Sequence, residues 1–220
     1  HHHRREDLEA RRPLVVEHPR RAALLTSAGY DFEVAPADID ERLLDGETPA
    51  AHVRRLAREK AARVAWDHPR AIVLGADTVV VIDAVMLGKP ADDADAAGML
   101  GRLSGRTHDV LTGVALHTRN AQRCDVDSTR VTFRELTAAE VAWYVGSGEP
   151  GGKAGAYAIQ GRAARFVTRI EGSYTNVVGL PIALVDHLLR EFLPDPPRAG
   201  GARGPVDVRV RRRAGRAHRR

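Results

Sequence analysis

One cysteine, Cys124, stands in the whole chain, which excludes an intrachain disulfide and a cysteine-built zinc site and makes a reducing, cytoplasmic setting the expectation. Aromatic residues are also scarce, at 5%, so the core has to be filled by Ala, Val and Leu. Long hydrophobic runs are missing. The longest apolar stretch, 71–87, is broken by Asp77 and Asp83, and a membrane-spanning helix needs about 18 uninterrupted apolar residues. No H-E-x-x-H or G-x-S-x-G occurs, which removes the usual support for zinc protease and serine hydrolase chemistry. Gly88-Lys89 runs into Pro90 and Gly152-Lys153 into Ala154, so neither is a Walker A loop.

Apolar residues make up 43% of the 220, enough for one domain or two closely joined lobes. A formal net charge of +5 points first to nucleic acid, so its placement decides. Segment 194–220 holds nine Arg against two Asp, a net +7, which leaves −2 for the other 193 residues. That segment is rich in Pro, Gly and Arg without apolar periodicity, and reads as a disordered, solvated tail. Nucleic acid is therefore not the expected partner, and any such affinity belongs to the tail alone. His1-His2-His3 reads as a tag remnant, 1–13 as a disordered start with no apolar signal segment, and 14–193 as the folded domain.

Within 14–193 short β-branched runs alternate with helical stripes. Strands are expected at 14–16, 31–35, 71–76, 79–82, 110–116, 124–133, 155–160 and 165–170. Helices are expected at 19–28, from Thr48-Pro49 to about Trp66, from Asp92 to before Gly105, from Thr137 and at 181–192. Thr48 with Pro49 supplies a cap and a first-turn proline, and Thr137-Ala-Ala-Glu140 is a capping box, with Leu136 and Val141 as its staple. This alternation makes the fold α/β or α+β.

Four places carry charge where local structure disfavours it. In His18-Pro19-Arg20-Arg21 two arginines open a helix against its dipole, an arrangement that an anion bound to free N–H groups would reverse. Lys60 follows Val53 by one heptad on an apolar helix face, so its ammonium either snorkels out or points into a cleft. Asp77 interrupts the strand-like run 71–82, where a buried carboxylate needs a partner. It is the best base in the chain, unless it merely closes a turn at Gly75. The glycine-rich run 149–161 ends in Gln160, whose amide has the paired donor and acceptor to read a base edge. Solvated arginines and a flexible loop are the plain alternatives for the first and last. Gly146-Ser-Gly148-Glu-Pro-Gly151 fits G-x-G-x-x-G by letters only, because it follows a helix and contains proline.

The order of these pieces resembles the Maf family of nucleoside triphosphate pyrophosphatases, also called septum-formation inhibitors. Pro19-Arg20-Arg21 is similar to its S-P-R-R, Ile39-Asp40-Glu41 to its I-D-E, and Leu56-Ala-Arg-Glu-Lys60-Ala61 to its L-A-x-x-K-A. Leu74-Gly-Ala-Asp77-Thr78, Leu87-Gly-Lys89-Pro90, Leu103-Ser-Gly-Arg-Thr-His108, 153–161 and 171–181 continue the pattern.

The resemblance implies an elongated, two-lobed α/β fold of the inosine triphosphatase kind, with a mixed sheet and a central nucleotide cleft. It implies hydrolysis of a nucleoside triphosphate to monophosphate and pyrophosphate with a divalent cation, Mg2+ or Mn2+, in a homodimer. Asp77 matches the proton acceptor and, with Glu41, the metal site. Arg20, Arg21, Lys60 and Lys89 match phosphate holders. Arg20, Thr78 and Gln160 resemble the branch that acts on dTTP and UTP. The alternative is a nucleotide-binding septation regulator with little chemistry. Where the family reads L-A-S-x-S-P-R-R, this chain has Val16 and His18 for the two serines and Glu17 between them. Backbone N–H groups, the arginines and a protonated His18 are the expected substitutes, with Glu17 an added negative charge beside the anion.

Overall fold

The computed structural model describes residues 12–193. Most of the expected N-terminal remnant and the whole Arg-rich segment 194–220 lie outside the described residues. Strands β1 (Leu14–Val16), β2 (Phe32–Val34), β3 (Ile72–Ile82), β4 (Val85–Leu87), β5 (Thr107–His117), β6 (Gln122–Phe133) and β7 (Val167–Glu171) build one mixed sheet. Its order is β2-β1-β3-β5-β6-β7, with β4 paired to β3. β1 runs parallel to β2 and β3, and the remaining pairs are antiparallel. The helices are α1 (Ala22–Ser27), α2 (Pro49–Asp67), α3 (Asp93–Leu103), α4 (Ala138–Gly146), α5 (Tyr174–Val178) and α6 (Ile182–Leu189). The fold is α/β around a mixed sheet, as expected. Among the described residues no helix is long and apolar enough to cross a membrane.

Two long strands, β3 and β5, run through both ends of the molecule and join two cores. At one end Val16, Leu25, Ile72, Leu74, Val114, Leu116, Val185 and Leu189 pack between the sheet, α1 and α6. At the other end Val80, Leu100, Leu103, Val131, Phe133, Tyr144 and Phe166 pack under α3 and α4. The few aromatics are concentrated there, with Phe133, Tyr144, Tyr157, Phe166 and His108 in mostly edge-to-face pairs. The midpoint of β3, between these cores, is Asp77.

The third cluster fixes the site. Ala57, Ala61 and Val64 of α2 lie on Val73 and Ala115, and two glycines let the helix come this close. A Cβ on Gly75 would sit 2.4 Å from the Ala57 carbonyl oxygen, and one on Gly113 2.2 Å from that of Val53. Gly113 is the ladder partner of Asp77, so absent side chains bring the backbone of α2 down beside the carboxylate.

Local signals hold where they are local. The Thr48 hydroxyl accepts from Ala51 N–H at 3.2 Å, the Asp92 carboxylate from Asp95 N–H at 2.7 Å, and the capping box at Thr137 is complete. Four expectations need correction. The runs 71–76 and 79–82 are one strand through Asp77. The expected helix 19–28 starts as a 3-10 turn, Pro19–Arg21, before α1. The expected strand 155–160 is absent: Gly155 and Ala156 have φ of 67° and 61°, a left-handed pair that no strand accommodates. The closing helix is Ile182–Leu189 rather than 181–192.

His108 is 2% exposed and its Nε2 lies 2.8 Å from the Tyr157 hydroxyl. Burial pushes its pKa down to about 4, against an ordinary value near 6.5. The unfolded chain therefore takes up a proton first as pH falls. Stability owed to this group is intact above about pH 6.5 and drains away towards pH 4, by about 2 to 3 kcal/mol at pH 4.5. Urea unfolding of the natural chain and His108→Gln at pH 7 and 4.5 should show a smaller acid loss in the variant by that amount. Equal losses would mean that His108 is not held neutral.

Candidate active site

Six chain segments converge on a cleft of about 370 Å3 at the middle of β3. The turn after β1 contributes Glu17, His18, Arg20 and Arg21, the irregular segment 35–48 Glu41, α2 Lys60, and β3 Asp77 and Thr78. Lys89 follows β4, and the loop after α4 brings Gly152, Lys153, Tyr157 and Gln160. All eight site residues read from the sequence, Arg20, Arg21, Glu41, Lys60, Asp77, Thr78, Lys89 and Gln160, line this one cavity.

Its centre is Lys60. The side chain is buried, and Nζ donates to Asp77 Oδ1 at 2.8 Å and lies 2.9 Å from Glu41 Oε1. It does not snorkel. Burial works against its charge, but Asp77 first, with Glu17 and Glu41, carries its pKa above the usual lysine value. Burial likewise opposes ionisation of Glu41, yet the hydrogen bond and charge of Lys60, aided by Lys89, hold its carboxyl below the ordinary range. Lys89 Nζ reaches Glu41 Oε2 at 3.2 Å. Among the described residues nothing donates to the second oxygen of Asp77, Oδ2, so that atom is available to the cleft. Asp77 closes no turn at Gly75, because both lie inside one continuous strand.

The turn after β1 is wired differently from the expectation. His18 is the cap of the 3-10 turn, its Nδ1 accepting the Arg20 N–H at 3.1 Å, so one N–H that was reserved for an anion is already used. Burial, then the charges of Arg21, Arg20, Lys60 and Lys89, push His18 down to about 4. A protonated His18 is thereby corrected: the imidazole is neutral at neutral pH. Glu17 is not a loose negative charge either. It is 3% exposed, accepts the Ala76 N–H at 3.1 Å and binds Arg21 Nη1 at 2.7 Å. Arg21 also donates from Nε to the Gly179 carbonyl at 2.9 Å, so Arg21 and Glu17 together tie the turn to β3 and to Gly179. Arg20 is exposed and reaches across the cleft to the Gly152 carbonyl at 2.6 Å.

Two residues with a bearing on function were not singled out from sequence. Lys153 lines the cleft, donates to the Glu149 carbonyl at 2.6 Å, and has its pKa lowered by burial and by Arg20; its glycine-rich setting was visible, its approach to Arg20 was not. Thr112 is buried on β5 opposite Thr78, with the two hydroxyls 2.9 Å apart. Gln160 is exposed at the cleft rim, where its amide can reach a ligand.

A cavity that gathers five cations around an ordered carboxylate, at the middle of an α/β sheet, is a site for a polyanion and for acid–base chemistry on it. A family model described as Maf-like protein matches residues 16–192. Among curated relatives, a dTTP/UTP pyrophosphatase of Myxococcus xanthus is 55% identical over 187 residues, covering 84% of this chain and 95% of the relative. The proteins of the same name from Koribacter versatilis and Symbiobacterium thermophilum are 52% and 50% identical, covering 80% and 81% of this chain and 92% of each relative. The chain belongs to the Maf family.

Proposed function

We propose that the chain hydrolyses a nucleoside triphosphate, dTTP or UTP, to the nucleoside monophosphate and pyrophosphate by in-line attack of water on the α-phosphorus. The observation that carries this reading is the buried Lys60 holding Asp77 by one oxygen, in a cleft that Arg20, Arg21, Lys89 and Lys153 also line. The names of relatives at about half identity, each matched over most of its length, support the same reaction.

In this reading Asp77 accepts the proton of the attacking water at Oδ2, and in the unliganded cleft Lys60 holds its carboxylate in position through Oδ1. Lys60, Lys89, Arg20 and Lys153 bind phosphate oxygens and offset charge that builds on the leaving pyrophosphate. Arg21 contributes chiefly by bracing Glu17 and Gly179. A divalent cation, Mg2+ or Mn2+, fits the donors present. Among the described residues no three metal-ligating side chains cluster, but Mg2+ typically keeps several waters and takes one or two carboxylates plus substrate phosphates. Glu41 and Asp77 would hold it, and when bound it would neutralise phosphate charge. Base preference rests on Gln160, with Arg20 and with Thr78 held by Thr112. The alternative of a septation regulator without chemistry gains nothing from a cleft that gathers Asp77 and five cationic side chains. Residues 14–193 as the catalytic domain, a homodimer and a cytoplasmic location complete the proposal.

A panel of dTTP, UTP, CTP and 7-methyl-GTP with Mg2+ tests it: pyrophosphate is expected mainly from the first two, and turnover of none would sink the reading. Gln160→Leu removes the amide that pairs with a pyrimidine carbonyl and N3–H. A bidentate pair is worth about 1 to 3 kcal/mol of discrimination, so the ratio of kcat/KM for UTP over CTP should fall by roughly 5- to 150-fold. An unchanged ratio would place base recognition elsewhere.

A further inference from the structure

Lys60 Nζ lies between Asp77 and Glu41, the two carboxylates that would hold a divalent cation in the proposed reading. Its ammonium lies 2.8 Å from Asp77 Oδ1 and 2.9 Å from Glu41 Oε1, and the side chain is only 6% exposed, so it is held at the cleft floor rather than in bulk solvent. Lys89 covers the other oxygen of Glu41. The charged residues lining the cleft are Arg20, Arg21, Lys60, Lys89 and Lys153 against Glu17, Glu41 and Asp77, which leaves +2, and His18 adds no charge at neutral pH. A lone divalent cation entering this cleft would meet a net positive charge and two ligands already neutralised.

Resting on the proposed pyrophosphatase reading, we infer that Lys60 is a built-in substitute cation that keeps divalent metal out of the empty site, so that metal binds only with the triphosphate. The triphosphate supplies new oxygen acceptors for Lys60 and Lys89. Once those ammonium groups shift to phosphate, Asp77 and Glu41 are released as metal ligands, and the charge of the cleft is reversed by the nucleotide. The metal complex of a triphosphate is still an anion and matches a cleft of net +2, whereas the bare metal does not. Metal and nucleotide therefore raise one another's affinity by the same factor. The device also prevents Asp77 and Glu41 from repelling each other when no ligand is present.

Water-proton relaxation enhancement, which reports Mn2+ bound to protein, tests this on the full chain. Without nucleotide the natural protein should show no site tighter than about 1 mM. Saturating α,β-methylene dTTP, which has no α–β oxygen to break, should tighten protein-bound Mn2+ by tenfold or more, within the roughly 5- to 150-fold range of site couplings. Lys60→Met should bind Mn2+ without nucleotide at least about tenfold more tightly than the natural protein, and its coupling to the analogue should shrink accordingly. Tight Mn2+ binding by the nucleotide-free natural protein, with the analogue also binding, would overturn the substitution by Lys60 and leave the pyrophosphatase reading standing. Failure of the analogue to bind at all would remove the reading itself and the inference with it. Should Lys60→Met not fold by circular dichroism, the two titrations of the natural protein decide alone.

Discussion

Asp77→Asn is expected to lower kcat for dTTP by about 10²- to 10⁴-fold, the usual contribution of a positioned general base. The substitution keeps the shape of the side chain and an oxygen for Lys60 Nζ, now 2.8 Å from Oδ1, but an amide in place of Oδ2 cannot accept a proton. Binding of α,β-methylene dTTP should survive within severalfold, because Lys89, Arg20 and Lys153 do not depend on Asp77. Separate measurement of kcat and analogue affinity is decisive: an undiminished kcat would exclude Asp77 as the proton acceptor. A parallel loss of binding and of circular dichroism would instead mark it as structural.

Gly113→Ala should be among the most damaging single-methyl additions in the chain. The new Cβ would stand 2.2 Å from the Val53 carbonyl oxygen and 2.5 Å from its carbon, backbone atoms that move only if α2 lifts off the sheet. Overpacking of this kind costs about 1 to 3 kcal/mol and occasionally more; the upper end is expected here, read as a shift in the urea midpoint. Since α2 carries Lys60 and Gly113 pairs with Asp77, kcat/KM should fall as well. Gly98→Ala is the control. Gly98 is exposed in α3, and a methyl added there would have nothing within 4 Å. Replacing a helical glycine by alanine stabilises by up to about 1 kcal/mol. If Gly113→Ala proved as harmless as Gly98→Ala, the close seating of α2 would not be what places Lys60.

Features encoded within a few residues were legible in the sequence. Thr48-Pro49, Asp92 and the box at Thr137 state where helices begin, because a cap needs only its own first turn. Asp77 and Lys60 stood out because each puts charge on an apolar face, and the structure joins the two contradictions into one ion pair. What was illegible depends on partners distant in sequence. The pairing of Arg21 with Glu17 is four residues long, but its clamp on Gly179 spans 158, and Arg20 meets Gly152 across 132. The state of His18 follows from burial among four cations, which no local pattern reports. Run 155–160 has the composition of a strand, yet Gly155 packs so close to Val80 that an added Cβ would clash with it, and its positive φ turns the chain. The tertiary contact overrides the local preference there.

The replaced serines of the first turn also acquire a physical account. Their loss removes two hydroxyls, and this chain answers with His18 as a cap and Glu17 as a buried acceptor for Ala76 and Arg21. The turn is held by different atoms, while Arg20, Lys60 and Lys89 still face the cleft.

Hydrolysis of dTTP with Mg2+ in ¹⁸O-labelled water, with the products weighed by mass spectrometry, tests the central claim most directly. Attack on the α-phosphorus predicts dTMP and pyrophosphate in equal amounts with the label on dTMP. Label on pyrophosphate, release of dTDP and orthophosphate, or no product at all would contradict it.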